Sequence, residues 1–246
     1  MQKNKIFIAS DFHLGAPDKK ESDLREKRIV EWLEYIKPQA DTLILAGDIF
    51  DFWYEWKNVV PKGFVRFLGK LAELIDSGTR IIFFSGNHDI WTYSYLTDEL
   101  GIKIYRSPQL LDFNGYKIYV GHGDGLTIKH DKKYRFLKAI FTNKILQFMF
   151  SYFLHPDSAI KIGKKWSLSR KAFDRNPTFK GEEEWLVEYC RMMMQSIDTD
   201  CFVFGHRHCA AEYSLNEKTK YINTGVWFKE SPYAEISDKQ IKLKFF

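Results

Sequence analysis

Side chains that can bind metal ions occur at five places in this 246-residue chain, each directly after an apolar run. The run from Lys5 to Ser10, for example, leads straight into Asp11-Phe12-His13. Carboxylate, amide and imidazole ligands without thiolates suit Mn²⁺, Fe²⁺ or Zn²⁺, and ligand type alone does not choose among these metals. The candidate metal ligands are Asp11, His13, Asp48, Asn87, His122, His206 and His208.

The spacing of these residues favours a shared centre. Asp11 and His13 are two positions apart, as are His206 and His208. Side chains two positions apart in extended backbone point the same way. Each of the five groups also lies near a glycine, which permits a tight turn. One such group alone is more often structural, but five in series indicate a metal site.

Seven ligands suffice for two cations if one carboxylate is shared. Asp48 is the natural bridge because the other groups divide around it. Two cations about 3.5–4 Å apart can bind a phosphate, activate a water molecule and stabilise charge on the leaving side. This arrangement suits phosphoester hydrolysis.

The strands that must position these groups alternate with helices in the first part of the chain. Apolar residues at helical spacing predict helices over 22–37 and 64–75, which alternate with strands at 5–10, 42–46 and 80–84. This order predicts parallel βαβ units, whose binding sites lie at the carboxyl ends of the strands. Strand patterns then dominate from 101 to 120, where Asn114-Gly115 predicts a hairpin.

An aromatic and basic stretch, 129–180, is predicted to be mostly helical and interrupts the series of strands. A helix at about 182–197 and a buried strand at 201–204 follow it, and the tail again has β-patterns. The simplest organisation is one domain over 1–246 with a helical cap insertion at about 129–180.

The net charge of +5 averages two opposed regions. The stretch 129–180 contains thirteen Lys or Arg and three Asp, a balance of +10, which leaves −5 for the rest of the chain. Its apolar residues either pack on the domain, or they line an acyl-chain groove or lie in the headgroup region of an anionic membrane. The aromatic segment 52–56 also has two alternative interpretations: it forms a wall that faces the substrate, or it is a packed loop.

Composition excludes several classes of protein. A hydrophobic content of 45% and a charged content of 28% exclude disordered, collagen-like and integral-membrane chains. Three cysteines without a CxxC pair argue against a disulfide framework or zinc knuckle and favour a reducing cytoplasm. The chain starts without an apolar segment of signal-peptide length. A cytoplasmic location is therefore expected.

The five groups, taken in order, resemble the motifs of the calcineurin-like metallophosphoesterase superfamily. That resemblance implies an α/β fold, a four-layer αββα sandwich with a helical cap insertion, and two divalent metal ions, with Mn²⁺ expected and Fe²⁺ or Zn²⁺ as alternatives. The motifs are Asp11-Phe12-His13, Gly47-Asp48-Ile49-Phe50-Asp51, Gly86-Asn87-His88-Asp89, Gly121-His122-Gly123-Asp124 and Gly205-His206-Arg207-His208.

The resemblance also implies a role for each motif residue. His88, paired with Asp89, is expected to face the scissile phosphate and to stabilise or protonate developing charge, and Asn87 is expected to help neutralise it. The first metal is assigned to Asp11, His13, Asp48 and His208, and the second to Asp48, Asn87, His122 and His206.

Asp11-Phe12-His13-Leu14-Gly15, together with His122-Gly123-Asp124-Gly125-Leu126 and the basic insertion, resembles the UDP-2,3-diacylglucosamine pyrophosphatases of lipid A synthesis. This narrower resemblance implies hydrolysis to UMP and 2,3-diacylglucosamine 1-phosphate by metal-activated water, and peripheral association with the inner membrane. The better-known members carry Arg where this chain has His88. The implied substrate contacts are Asn87, His88, Asp131, Tyr134, Lys165, Ser169, Arg170 and His206.

Two other functions are considered. One is hydrolysis of another nucleotide, phosphodiester or nucleic acid, since a basic surface also binds nucleic acid. The other is a non-catalytic scaffold, against which the intact ligand set argues. The expected partners are an acylated sugar nucleotide and an anionic membrane surface, and nucleic acid is not expected.

Overall fold

The chain forms eleven strands and seven α-helices in the computed structural model, which describes residues 3–169 and 177–246. The strands are β1 (Lys5–Ala9), β2 (Ala40–Leu45), β3 (Arg80–Phe84), β4 (Lys103–Tyr105), β5 (Gln109–Phe113), β6 (Tyr116–Val120), β7 (Cys201–Phe204), β8 (Ala210–Ser214), β9 (Lys220–Thr224), β10 (Pro232–Ser237) and β11 (Gln240–Phe245). The helices are α1 (Lys19–Ile36), α2 (Val65–Asp76), α3 (Tyr95–Leu100), α4 (Ile128–Thr142), α5 (Lys144–Phe153), α6 (Pro156–Ser169) and α7 (Trp185–Met193).

The strands form two sheets, with the orders β11-β10-β1-β2-β3-β4 and β5-β6-β7-β9-β8. Strands β1 to β4 are parallel, and Ile8, Ile44 and Ile82 lie side by side across β1, β2 and β3. In the second sheet β6, β7 and β9 are parallel. The loops that follow the parallel strands of each sheet therefore meet at one edge, as the βαβ pattern predicts.

Apolar side chains fill the space between the sheets. Ile8, Ile44 and Ile82 of the first sheet share a buried cluster with Val120 and Val203 of the second. These parallel strands are nearly continuous runs of apolar residues because both of their faces are covered.

Helices cover the outer face of each sheet. Trp32 of α1 and Phe67 of α2 pack against the first sheet, and Leu186 and Val187 of α7 pack against the second. The order of layers is helix, sheet, sheet, helix, which confirms the predicted α/β four-layer sandwich.

Helix α1 shows how the sequence sets these layers. Asp18 caps its N-terminus by accepting a hydrogen bond from the amide of Glu21. Its buried residues recur every three or four positions and face the first sheet. Arg25 falls in this buried series, and its guanidinium therefore points inward.

Helices α4, α5 and α6, here called the cap, lie between β6 and β7 in the chain. They contact the body through specific side chains: the Tyr54 hydroxyl donates to the Gln147 carbonyl, and the Trp91 indole donates to the Phe141 carbonyl, both at 3.0 Å. Gly163 of α6 lies directly against the ring of Phe52, where a larger side chain would collide. Among the helices described, none is long and apolar enough to span a bilayer.

Strand β10, like helix α3, is an element that the sequence patterns do not predict. It begins at Pro232 and pairs antiparallel with β1 on one side and with β11 on the other. Proline and the central Glu235 weaken the alternation on which strand prediction depends. The tail of the chain thus extends the first sheet.

Candidate metal centre

All seven predicted ligands meet at the edge where the parallel strands end. Asp11 and His13 follow β1, Asp48 follows β2, and Asn87 follows β3. His122 follows β6, and His206 and His208 follow β7, so both sheets contribute.

Four of the ligands surround one point. The carboxylate and imidazole atoms of Asp11, His13, Asp48 and His208 all lie within 4.8 Å of one another. The Nε2 atoms of His13 and His208 are 3.1 Å apart, and Asp11 Oδ1 is 3.1 Å from His208 Nε2. These are the four residues that the sequence analysis assigns to the first metal, and their atoms are close enough together to hold one cation.

The remaining predicted ligands form a second group. Asn87 Oδ1 lies 2.9 Å from His206 Nδ1 and 3.3 Å from His122 Nε2. Asp48 Oδ2 lies 3.3 Å from His122 Nε2 and 3.8 Å from His13 Nε2, between the two groups. This is the position that a bridging carboxylate requires.

The imidazole orientations fit metal binding. His122 Nδ1 lies 3.0 Å from the Ala46 carbonyl, which can only accept, so Nδ1 carries a proton and Nε2 is the nitrogen that faces the cluster, where a bound cation would take the place of its proton. The carboxylate of Asp51 lies 3.6 Å from His13 Nδ1, on the opposite side of the ring from Asp11 and Asp48. A hydrogen-bond acceptor behind a histidine ligand is the usual arrangement around protein-bound metals. The donor set therefore fits two divalent cations.

The backbone around the ligands is strained. Asp11, His13, Asp48, His206 and His208 all have φ between 43° and 66°. Non-glycine residues in the left-handed region cost free energy and cluster at functional sites. Position 86 has no room for a side chain, because a Cβ there would collide with the Asp48 carboxylate, so the residue must be glycine.

Charges in the centre compensate each other. Burial disfavours ionisation of Asp48, but the neighbouring His122 and His88 hold its pKa well below the usual value. Burial likewise disfavours protonation of His122, but the Asp48 carboxylate raises its pKa to about 10. The Asp48 carboxylate thus stays ionised in the interior, as a ligand of a divalent cation must.

His88 and Asp89 lie in the centre, but they have different partners. Asp89 accepts hydrogen bonds from the amides of Gly86 at 2.6 Å and Ile49 at 2.7 Å. His88 Nδ1 contacts Asp51 in two ways. It donates to the Asp51 backbone carbonyl at 2.9 Å, and it lies 3.6 Å from the Asp51 carboxylate. Asp51 thus lies next to His88, and the pairing of His88 with Asp89 stays a prediction of the resemblance.

Arg25 supports the centre and was not predicted from the sequence. It is buried in α1 and donates to the carbonyls of Phe12 at 2.6 Å and His13 at 2.7 Å. Its guanidinium also lies 4.9 Å from the ring of Phe228, which stacks on the His13 imidazole. The charge of Arg25 in the buried series of α1 was the available signal.

Arg207 supports the second sheet's ligands in a similar way. It lies between His206 and His208 and makes a bidentate ion pair with the buried Glu184, at 2.6 and 3.2 Å. Glu184 is the residue before α7, so this pair ties the helix to the ligand loop.

The structure describes only some of the cap residues that the resemblance implies as substrate contacts. The Tyr134 hydroxyl and the Lys138 ammonium donate to Asp124, two residues after His122, at 2.7 and 2.8 Å. Lys165 is exposed. The side chains of Asp131 and Ser169, and the whole of Arg170, lie outside the described residues.

Comparison with known proteins agrees with this geometry. The family model for calcineurin-like phosphoesterases matches residues 4–210, so the chain belongs to that family and is a metal-dependent hydrolase. Its relatives include the UDP-2,3-diacylglucosamine hydrolase of Porphyromonas gingivalis, 32% identical over 94% of both chains. Proteins of the same name from Pseudomonas fluorescens (26% identity, 98% of this chain and 95% of that one) and Haemophilus influenzae (27%, 95% and 94%) also match.

Proposed function

We propose that this protein hydrolyses the pyrophosphate bond of UDP-2,3-diacylglucosamine and releases UMP and 2,3-diacylglucosamine 1-phosphate. The observation that carries the proposal is an apolar cavity of about 350 Å³ between the body and the cap. Phe52 in its wall directly follows Asp51, whose carboxylate faces His13. A substrate with a pyrophosphate and acyl chains needs an apolar cavity and a metal centre side by side.

The cavity is lined almost entirely by hydrocarbon. Phe52, Tyr54 and Trp91 of the body form one side, and cap residues including Leu137 and Phe141 form the other. Small-molecule pockets measure about 300–1,000 Å³, so this volume is sufficient for part of an acyl chain. Burial of each methylene group there would be favourable by about 0.8 kcal/mol.

Two divalent cations, with Mn²⁺ as the proposed metal, would be held by the two groups of ligands. When bound, they supply Lewis-acid activation of the phosphoryl group and of the attacking water. The first would lie among Asp11, His13, Asp48 and His208, and the second among Asp48, Asn87, His122 and His206.

The proposed reaction is a displacement at the phosphorus of the uridylyl group. A water oxygen bonds to that phosphorus, the bond to the bridging oxygen breaks, and the bridging oxygen leaves with the sugar phosphate while a proton passes to solvent. Asn87 and His88 are the residues proposed to stabilise the developing charge. The Asp51 carbonyl accepts from His88 Nδ1, so Nε2 is the nitrogen that would carry the second proton of the charged ring toward the phosphate. Asp89 would contribute by fixing the loop amides of Gly86 and Ile49.

The outer face of the cap is proposed to contact an anionic membrane at the cytoplasmic side. Ile145 and Phe153 are each 72% exposed and Tyr152 is 71% exposed, all on α5. Exposed aromatic residues on a basic segment are typical of helices that lie in the headgroup region. This position would bring the cavity close to a lipid substrate.

The test supplies purified protein with Mn²⁺ and UDP-2,3-diacylglucosamine in detergent and measures UMP by chromatography. UDP-N-acetylglucosamine and bis(4-nitrophenyl) phosphate serve as substrates without long acyl chains. Phe141→Ala in the cavity wall should raise KM for the acylated substrate only, and Phe136→Ala, 68% exposed on the same helix, is the matched control.

Preferred release of UMP from the acylated substrate would support the proposal. No UMP, together with good turnover of the simple diester, would refute it. Steep loss of nucleic-acid affinity with added salt would instead favour the alternative substrate class.

A further inference from the structure

One hydroxyl group of the cap reaches the metal centre. Ser167 lies on α6 and is 1% exposed, and its Oγ donates to Asp51 Oδ1 at 2.7 Å. The same oxygen of Ser167 is 3.5 Å from His88 Nδ1. The contact joins residues 116 positions apart in the chain.

Asp51 connects this hydroxyl to two imidazoles. Its Oδ1 is the atom that accepts from Ser167, and it lies 3.6 Å from His13 Nδ1 and 3.6 Å from His88 Nδ1. Asp51 is itself only 4% exposed, so water cannot readily replace a lost partner. A carboxylate behind a ligand histidine sets the orientation of the ring.

The surrounding packing holds Ser167 in this place. Ala159, Gly163 and Ser167 follow each other at four-residue intervals on α6, and all three are buried. Gly163 lies against Phe52, one residue after Asp51. Small side chains on this face let the helix approach the loop closely enough for a serine hydroxyl to reach the carboxylate.

We propose that Ser167 is a positioning residue, which acts through Asp51 to fix the imidazoles of His13 and His88 when α6 is seated on the body. Hydrogen bonds to a charged group are about twice as strong as neutral ones, and the low dielectric of a buried site strengthens them further. Without the hydroxyl, Asp51 Oδ1 loses its closest side-chain donor, and both rings lose a fixed neighbour. The inference rests on the metal-dependent hydrolysis of the proposed function, but not on the identity of the substrate.

The experiment compares the parent chain with Ser167→Ala and with the control Ser158→Ala. Ser158 is an exposed serine on the same helix. The first readout is kcat and KM for bis(4-nitrophenyl) phosphate with Mn²⁺. The second is the ring ¹⁵N spectrum of His13 and His88 in the full chain, first without metal and then with Zn²⁺.

Ser167→Ala should lower kcat about tenfold with little change in KM, since the hydroxyl contributes to geometry rather than to substrate binding. It should also shift the ring signals of both histidines, while Ser158→Ala changes neither kcat nor the ring signals. Ring signals that stay at the parent positions would overturn the proposal, and so would a rise in KM with kcat unchanged.

The small diester has no acyl chain, so these results do not depend on whether the acylated sugar nucleotide is the substrate. If the diester is not turned over at all, the ring signals decide alone.

Discussion

Replacement of Arg207 should destabilise the protein more than replacement of its partner Glu184. Both Glu184 oxygens are paired with the guanidinium, and the Glu184 side chain is 1% exposed whereas that of Arg207 is 24% exposed. Arg207→Met leaves a buried carboxylate without its partner. Glu184→Gln leaves a cation that can still reach water.

The magnitudes follow from this asymmetry. Removal of one partner from a buried ion pair costs about 3–5 kcal/mol. Because Arg207 is partly exposed, we expect the lower limit, about 3 kcal/mol, for Arg207→Met, and about 1–2 kcal/mol for Glu184→Gln, whose remaining cation is hydrated. For a chain of this size about 1 kcal/mol corresponds to 2–4 °C in Tm, so Arg207→Met should lower Tm by about 6–12 °C.

Urea denaturation of the metal-free chain measures these free energies without a contribution from bound cations. The double variant Arg207→Met/Glu184→Gln should cost clearly less than the sum of the single variants, by about 1 kcal/mol or more. Lys220→Met is the control, because Lys220 pairs with Glu212 at a similar 2.6 Å but both side chains are more than one-third exposed at 42% and 35%. Its cost should stay below about 1 kcal/mol.

Two results would refute the reasoning. A larger loss for Glu184→Gln than for Arg207→Met would mean that burial of the carboxylate does not dominate. Additive single variants would mean that the two side chains do not stabilise each other, whatever their distance.

Three further predictions concern the ligands, the cap and the first sheet. Asp48→Ala removes the carboxylate that lies between the two ligand groups, so metal analysis should find both sites depleted, and retention of more than about a few per cent of the activity would contradict a bridging role. Gly163→Ala should displace α6 from Phe52 and lower activity on the acylated substrate. Gly69→Ala in α2, where a Cβ meets nothing within 4 Å, should instead raise the free energy of unfolding by about 0.5–1 kcal/mol. Equal effects of the two variants in thermal unfolding and activity would contradict the packing argument. Burial raises the pKa of Glu235, but Lys244 at 2.9 Å and Lys5 at 3.1 Å outweigh burial and lower it below its usual 4.5. The parent should therefore be more stable than Glu235→Gln above that value, and urea denaturation as a function of pH should show this advantage being lost as the pH falls through the lowered pKa; a constant difference at all pH values would show that the charge of Glu235 is not responsible.

The sandwich and the meeting point of the ligands could be predicted from the sequence because both depend on short-range patterns. Apolar runs followed by Asp, Asn or His mark the ends of parallel strands, and the topology of such sheets brings those ends together. The alternation of strand and helix before residue 100 indicates the parallel arrangement directly. Strand β10, which starts at Pro232, lacks this pattern, and its pairing with β1 joins residues far apart in the chain.

The partners of the ligands were harder to predict. Asp51 follows a ligand by three positions, and its contact with His88 depends on the packing of the loops, which the sequence pattern does not specify. The aromatic segment 52–56 is likewise divided, since Trp53 is fully buried while Phe52 and Tyr54 line the cavity. In the cap, the apolar residues divide between the cavity and solvent, a division that depends on how α4 and α5 lie on the body.

The contribution of both sheets to one centre has a consequence for biosynthesis. The rings of His13 and His208 meet at 3.1 Å although they are 195 residues apart in the chain. A ribosome adds about 5–20 residues per second, so Asp11, His13 and Asp48 are synthesised about 10–40 s before their partners from β7. The full set of ligands exists only after the second sheet has formed. Metal loading therefore follows synthesis of β7, and a nascent chain that stalls before it cannot complete the centre.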